Sequence, residues 1–154
     1  ASVDGDKIIV KKYINLGLAT ALPSGDLIVP VIKNAHLLNL VGISKAANGL
    51  VEKARNNKLL PDDIADGTFS ITNLGTFQTL TGTPIIPQPQ VAILAVGAIK
   101  KQVVVIESEG GDSIAIRPMT ILSLSFDHRI IDGALGGEFL LAVKKKLENY
   151  SLEL

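Results

Sequence analysis

The sequence predicts an α/β fold, a two-layer sandwich in which one mixed β-sheet carries helices on one face. Three observations lead there. Short runs rich in Val, Ile, Leu and Thr recur between clusters of Gly, Pro, Asn and Asp, as strands do between turns. Two other stretches carry apolar residues at spacings of three and four, the period of an amphipathic helix. Strand and helix signals interleave over 154 residues with no repeat, low-complexity segment or linker, which suits one domain around one core.

Residues 7–13 alternate enough to predict an entering strand. Residues 14–22 and 27–32 predict two buried strands of a hairpin, turning at Pro23-Ser24-Gly25-Asp26. Read without that turn, residues 13–32 are apolar enough, and at about 20 residues long enough, to cross a bilayer; the turn excludes the span, and no membrane association is expected. Pro30 marks an edge position or a bulge, because it has no N–H for a ladder. Leu40, Ile43, Ala47, Leu50 and Ala54 line one face of a helix, with Asn39 as its N-cap and Asn56-Asn57 at its end. Pro61-Asp62-Asp63 opens a short helical turn that Gly67 breaks. Residues 68–74 read as a strand and residues 75–90 as a long loop with three prolines. Residues 91–98 and 103–107 are further strands, Gly110-Gly111-Asp112 is a hairpin turn, and residues 113–126 read as one strand. Residues 133–150 form the last helix. Leu135, Phe139, Leu140, Val143 and Leu147 make its stripe, and Lys144, Lys145 and Lys146 suit its C-terminal dipole.

Composition narrows the chemistry. Hydrophobic residues are 47% and aromatics only 4%, so the core is built from aliphatic side chains. Fifteen basic and fifteen acidic residues cancel, which disfavours nucleic acid or an anionic membrane as partner and permits close association of copies. There is no cysteine, so a cysteine nucleophile, a disulfide and a thiolate metal site are excluded. No grouping of His, Asp and Glu has metal-ligand spacing, and no metal is expected. Neither a phosphate-binding glycine loop nor a G-x-S-x-G elbow is present.

The run Ser125-Phe126-Asp127-His128-Arg129-Ile130-Ile131-Asp132-Gly133 carries the clearest chemical signal. It sets one of only two histidines at a strand exit, with charged residues one to four positions away. Imidazole titrates near neutrality, so a fixed His128 suits a general base. Asp132 either orients that ring or pairs with Arg129 to hold the turn, the structural role being preferred; Asp127 reads as a turn former. The other histidine, His36, lies in a turn and reads as passive.

The spacing D-H-R-x-x-D-G resembles the active-site signature of the dihydrolipoamide acyltransferases, the core component of 2-oxo acid dehydrogenase complexes. It also resembles the H-x-x-x-D-G of chloramphenicol acetyltransferases. Four further segments resemble the first family in the same order. They are Ile14-Asn15-Leu16-Gly17-Leu18-Ala19 with residues 25–32, Ala54-Arg55-Asn56-Asn57-Lys58-Leu59, residues 67–75, and Thr83-Pro84-Ile85-Ile86 through Leu94.

The resemblance implies a coenzyme A-dependent acyltransferase of the chloramphenicol acetyltransferase-like fold, with His128, Asp132 and Thr72 in the active site. Thr72 takes the place of a hydroxyl facing the reacting carbonyl, while Asn73 belongs to the turn. Coenzyme A is implied as a substrate, with the lipoyl group carried on a separate domain. The implied partners are two further copies in a homotrimer, with Thr72 and His128 acting from different chains across a subunit boundary, a larger core built from trimers, the lipoyl domain and other dehydrogenase complex subunits. The implied location is the cytoplasm of a bacterium, or the mitochondrial matrix in a eukaryote. Residues 1–154 are expected to be the catalytic domain, starting after the family's preceding segment and carrying no lipoyl or peripheral-subunit-binding domain. Where many relatives carry glycine, Gln78 stands here, so residues 78–83 are expected to be shaped differently. Two alternatives stay open: an oligomeric scaffold with an incomplete site, and an antibiotic O-acetyltransferase of the same fold.

Overall fold

The computed structural model describes residues 1–151; residues 152–154 of the expected domain lie outside the described residues. Along the chain the strands are β1 (Ser2–Asp4), β2 (Lys7–Ile9), β3 (Leu16–Ala21), β4 (Leu27–Ile28) and β5 (Val31–Ile32). Helices α1 (Leu40–Arg55) and α2 (Pro61–Ile64) follow. Then come β6 (Phe69–Asn73), β7 (Ala92–Val96), β8 (Lys100–Ile106), β9 (Ser113–Met119), β10 (Leu122–Phe126) and the last helix, α3 (Gly133–Glu148).

The main sheet is mixed and has the order β10-β7-β6-β3-β4, with β5 also on β3. Strands β3, β6 and β7 are parallel, and β10, β4 and β5 join antiparallel. A parallel pair needs a long crossover, and α1 and α2 supply the one between β3 and β6. Helix α1 packs on β3 and β5, and α3 packs on β10. This is the expected α/β class. Strand β7 lies between β10 and β6 and reads as an unbroken apolar run because neither of its faces meets water; Ala95 is 0% exposed.

Three strands differ from the sequence reading. The entering strand is only Lys7–Ile9, and Ser2–Asp4 pairs with it in a small separate hairpin that turns at Gly5, in the left-handed region at φ 57°. Three residues with one apolar member leave too little pattern to detect. The strand read over 27–32 divides at Val29-Pro30, where the missing N–H interrupts the ladder. The segment still holds to its neighbour through Leu18 N donating to Pro30 O at 2.8 Å, and it forms the sheet edge that Pro30 suggested. The strand read over 113–126 breaks at Thr120-Ile121. Strand β9 pairs with β8 in a separate two-stranded ribbon, whereas β10 joins the main sheet. The break is pinned on Gly97, whose N–H donates to Ile121 O at 2.9 Å and whose carbonyl accepts from Thr120 Oγ1 at 2.8 Å. Leu80 O passes so close to Gly97 that a Cβ has no room there.

Asparagine caps behave as read. Asn39 Oδ1 accepts from Gly42 N at 2.8 Å, and Asn56 closes α1. The stripe on α3 is only partly buried: Leu135 and Leu147 are 52% and 60% exposed, and Gly136 is the one buried residue of the helix. The helix meets the sheet along a narrower line than its apolar residues would cover. Beside it, Met119, Leu122, Leu140, Leu141 and Leu147 line an apolar groove of about 450 Å³. No helix is long and apolar enough to cross a membrane, among the described residues.

Candidate active site

Strand β6 is set by a buried asparagine the sequence reading did not single out. Asn15 is 5% exposed; its Oδ1 accepts from Asn34 N at 2.8 Å and its Nδ2 donates to Asp66 O at 2.9 Å. Asn34 and Asp66 both have positive φ, at 50° and 57°, so Asn15 fastens two left-handed turns to the start of β3. Its own N–H donates to Thr68 Oγ1 at 3.0 Å. That lattice fixes the entry of β6, and four residues on comes Thr72.

Thr72 is 9% exposed and lines a cavity of about 340 Å³ with Ala19, Val51, Arg55 and Leu74 among the residues of its wall. Among the described residues Arg55 is the only charged one on that wall, and no Asp, Glu or His lines it. A hydroxyl group on such a wall has the chemistry to donate a hydrogen bond to an oxyanion. Asn73 turns away into the loop, its Oδ1 accepting from Gly75 N at 2.9 Å.

His128 lies past the end of β10, at the crown of a braced turn. Asp127 N donates to Val91 O at 2.8 Å, and Asp127 O accepts from Ile131 N at 3.0 Å. The Asp127 carboxylate accepts from Arg129 Nη2 at 2.6 Å and from Arg129 N at 3.0 Å. Those hydrogen bonds from Arg129, the guanidinium first and then the backbone N–H, hold Asp127 down at a pKa of about 2. The partner of Arg129 is therefore Asp127 and not Asp132, and Asp127 does more than form a turn. The Asp132 carboxylate accepts from Leu135 N at 2.8 Å and caps α3. His128 itself is exposed, with its ring 5.6 Å from that of Phe126.

The structure does not bring Thr72 and His128 together within one chain. Thr72 pairs with Ala95, and Ala95 pairs with Ser123, so Thr72 is level with Ser123 two strands away. His128 is five residues further on in sequence, past the end of β10. At strand dimensions the four steps to Asp127, the last residue bonded to β7, span roughly 13 Å along the sheet and 10 Å across it, a backbone separation of about 16 Å. The two candidate groups lie toward opposite ends of the sheet.

The family model described as 2-oxoacid dehydrogenases acyltransferase (catalytic domain) matches residues 1–154. This chain belongs to that family. The acyltransferase domain is 47% identical over 140 residues to the dihydrolipoyllysine-residue acetyltransferase component of the pyruvate dehydrogenase complex of Corynebacterium glutamicum. It is 44% identical over 149 residues to the succinyltransferase component of the 2-oxoglutarate dehydrogenase complex of Bacillus subtilis. These alignments take in 91% and 97% of this chain but only 21% and 35% of those proteins. Among solved structures, a probable dihydrolipoamide acetyltransferase from Listeria monocytogenes superposes with a TM-score of 0.92 at 44% identity, over 99% of this chain and 63% of that one. The cubic core of a pyruvate dehydrogenase multienzyme complex superposes with a TM-score of 0.86 at 38% identity, over 94% of this chain and 58% of that one.

Two features of the acyltransferase domain escaped the sequence reading. The Asp127–Arg129 pair was in view as adjacent charges, but i, i+2 spacing says nothing of pairing until a turn folds the two together. Arg55 stood in a segment that resembles the family, with no role read for it; the cavity it shares with Thr72 is formed only when α1 packs beside β3 and β6. His36 is structural, as read, its Nδ1 accepting from Ile14 N at 3.3 Å. Gln78 holds φ 57°, the left-handed conformation that glycine adopts most easily.

Proposed function

We propose that this domain transfers an acyl group between the thiols of dihydrolipoamide and coenzyme A, at a site shared by two copies of the chain. One observation carries the reading. Thr72 lines a cavity on whose wall no neutral-pH base stands among the described residues, while the segment bearing the exposed His128 lies about 16 Å away along the sheet of the same chain. A second copy that presents its His128 to this cavity completes the pair.

His128 of one copy takes the proton from the coenzyme A thiol; a free thiol such as that of cysteine, with a pKa of about 8.5, is little ionised at neutral pH without such help. The thiolate sulfur attacks the carbonyl carbon of the acyl-lipoyl thioester and forms a tetrahedral oxyanion. Thr72 of the neighbouring copy donates to that oxyanion, a contribution of about 3 kcal/mol for one well-placed donor. As the carbonyl re-forms, the carbon–sulfur bond to the lipoyl group breaks and the imidazolium returns its proton to the leaving sulfur. No covalent enzyme intermediate is required, in keeping with the absence of cysteine. Asp132 acts on His128 through the helix it caps.

Uncovered apolar surface supports association of copies. Ile85 is 92% exposed, and Val103, Val105, Ile114 and Ile116 all exceed 60% on the β8–β9 ribbon. A lone two-stranded ribbon is marginal in water, so such side chains are normally covered. The proposed unit is a homotrimer that builds a larger core, served by a lipoyl group on a separate domain and by the other subunits of a dehydrogenase complex. Residues 1–154 form its catalytic domain. The proposed setting is bacterial cytoplasm, or the mitochondrial matrix in a eukaryote.

The test is acyl transfer between dihydrolipoamide and acetyl-, succinyl- and branched-chain acyl-coenzymes A. Wild-type protein should accept one of them, and His128→Ala in an unchanged assembly should lose about 10²–10⁴ in rate. Full activity of that variant removes the mechanism. Transfer to chloramphenicol instead identifies an O-acetyltransferase, and a well-assembled protein with no transfer at all is a scaffold.

A further inference from the structure

We infer that Phe126 is a positioning residue for His128, and that Gly136 is glycine so that the Phe126 ring can do this. The inference rests on the acyl-transfer reading above and adds to it the means by which the base is aimed.

No hydrogen bond to either ring nitrogen of His128 is made among the described residues, since Asp127 is taken by Arg129 and Asp132 by Leu135 N. The imidazole is therefore oriented by packing. Asp127 is the last residue bonded to β7, donating its N–H to Val91 O, and the turn that follows sets the His128 ring beside that of Phe126. The Phe126 and His128 rings lie 5.6 Å apart at 42°, within the range of favourable tilted aromatic pairs.

The far side of the Phe126 ring rests on α3. A Cβ placed on Gly136 would lie 2.8 Å from Phe126 Cε1 and 3.3 Å from both Cδ1 and Cζ. Glycine is a poor helix former, so its place in the second turn of a helix needs a cause, and the seated ring is one. The next residue makes the contrast: a Cβ on Gly137 would meet nothing within 4 Å. The helix itself is anchored at its start, where Gly136 N donates to Asp132 O at 3.0 Å and the Asp132 side chain caps the first turn. Position thus passes from the cap of α3 to Gly136, to the Phe126 ring and to the imidazole.

The experiment uses the assembled full chain and compares Phe126→Leu, Gly136→Ala, the double variant and Gly137→Ala. Phe126→Leu and Gly136→Ala should each lower kcat about ten- to hundredfold, since small misplacements of a reacting group have effects of that order. The KM of each substrate should stay within about twofold, and Gly137→Ala should match wild type. The double variant should be no slower than the worse single one, because both changes act through one ring. Unchanged kcat in Phe126→Leu, or losses that multiply in the double variant, overturns the inference. A second readout is independent of turnover: the imidazole proton resonances of the chain's two histidines. Phe126→Leu and Gly136→Ala should shift the His128 signal and leave His36 in place; an unmoved His128 signal overturns the inference. Wild-type protein without transfer activity, but with these shifts, overturns the acyl-transfer reading instead.

Discussion

At the scale of single residues, the turn bearing His128 is braced by charge. Arg129 lowers the Asp127 pKa from 3.8 to about 2. A carboxylate with a lower pKa folded than unfolded adds stability that is present above its unfolded value and disappears as pH falls through its folded value. The Asp127 contribution is therefore intact above 3.8 and lost on acidification toward about 2. Asp127→Asn should lower stability near neutrality and flatten its further loss as pH falls through that window; urea unfolding from neutral to acid pH checks this. An unaltered acid limb would mean that the pair contributes nothing. The sequence placed these two charges side by side, but their pairing depends on a turn whose hydrogen bonds run to Val91, far back along the chain. Asn15 teaches the same lesson. Its position in an apolar run was plain, yet its partners at Asn34 and Asp66 come from two separate turns.

At the scale of elements, α3 links fold and chemistry. Its cap is Asp132, and a lost cap of this kind costs about 1 kcal/mol. Asp132→Ala should lower unfolding stability by that amount, while Asp132→Asn, which keeps a side-chain acceptor, should stay within a few tenths of a kcal/mol. Transfer assays on the pair separate capping from direct chemistry: a cap predicts near-normal rates for Asp132→Asn, whereas collapse of its activity at unchanged stability would show that the charge itself is used. Helix starts were legible because capping is local, acting over three residues. The division of residues 113–126 was not. Both halves have strand composition, and only the anchoring of Thr120 and Ile121 on Gly97 assigns one half to the ribbon and the other to the main sheet. The exposure of Leu135 and Leu147 was equally hidden, because a helical stripe reports which residues are apolar and not how much of the stripe a neighbour covers.

At the scale of the whole molecule, the separation of Thr72 from His128 makes a prediction about mixed assemblies. Thr72→Ala and His128→Ala chains should each be impaired alone. Assembled together in equal amounts, they should recover about a quarter of wild-type activity, the fraction of subunit boundaries that pair an intact Thr72 with an intact His128 at random in a cyclic oligomer. A site contained in one chain would give no recovery. Transfer rates of co-assembled variants, with native mass to verify mixing, decide between these outcomes. The uncovered apolar side chains on the β8–β9 ribbon belong to this same scale, since a surface with nothing to cover it in one chain is consistent with a partner.

By itself the sequence determined what depends on neighbours a few residues apart: the α/β alternation, the cap at Asn39, the start of α3 and the turn at Gly25; it also singled out one hydroxyl, Thr72, and one imidazole, His128, as candidates. Only the tertiary structure decided where those two groups lie relative to each other. Their distance follows from the register of three strands, β6 on β7 and β7 on β10, and register is set by packing between segments far apart in the chain.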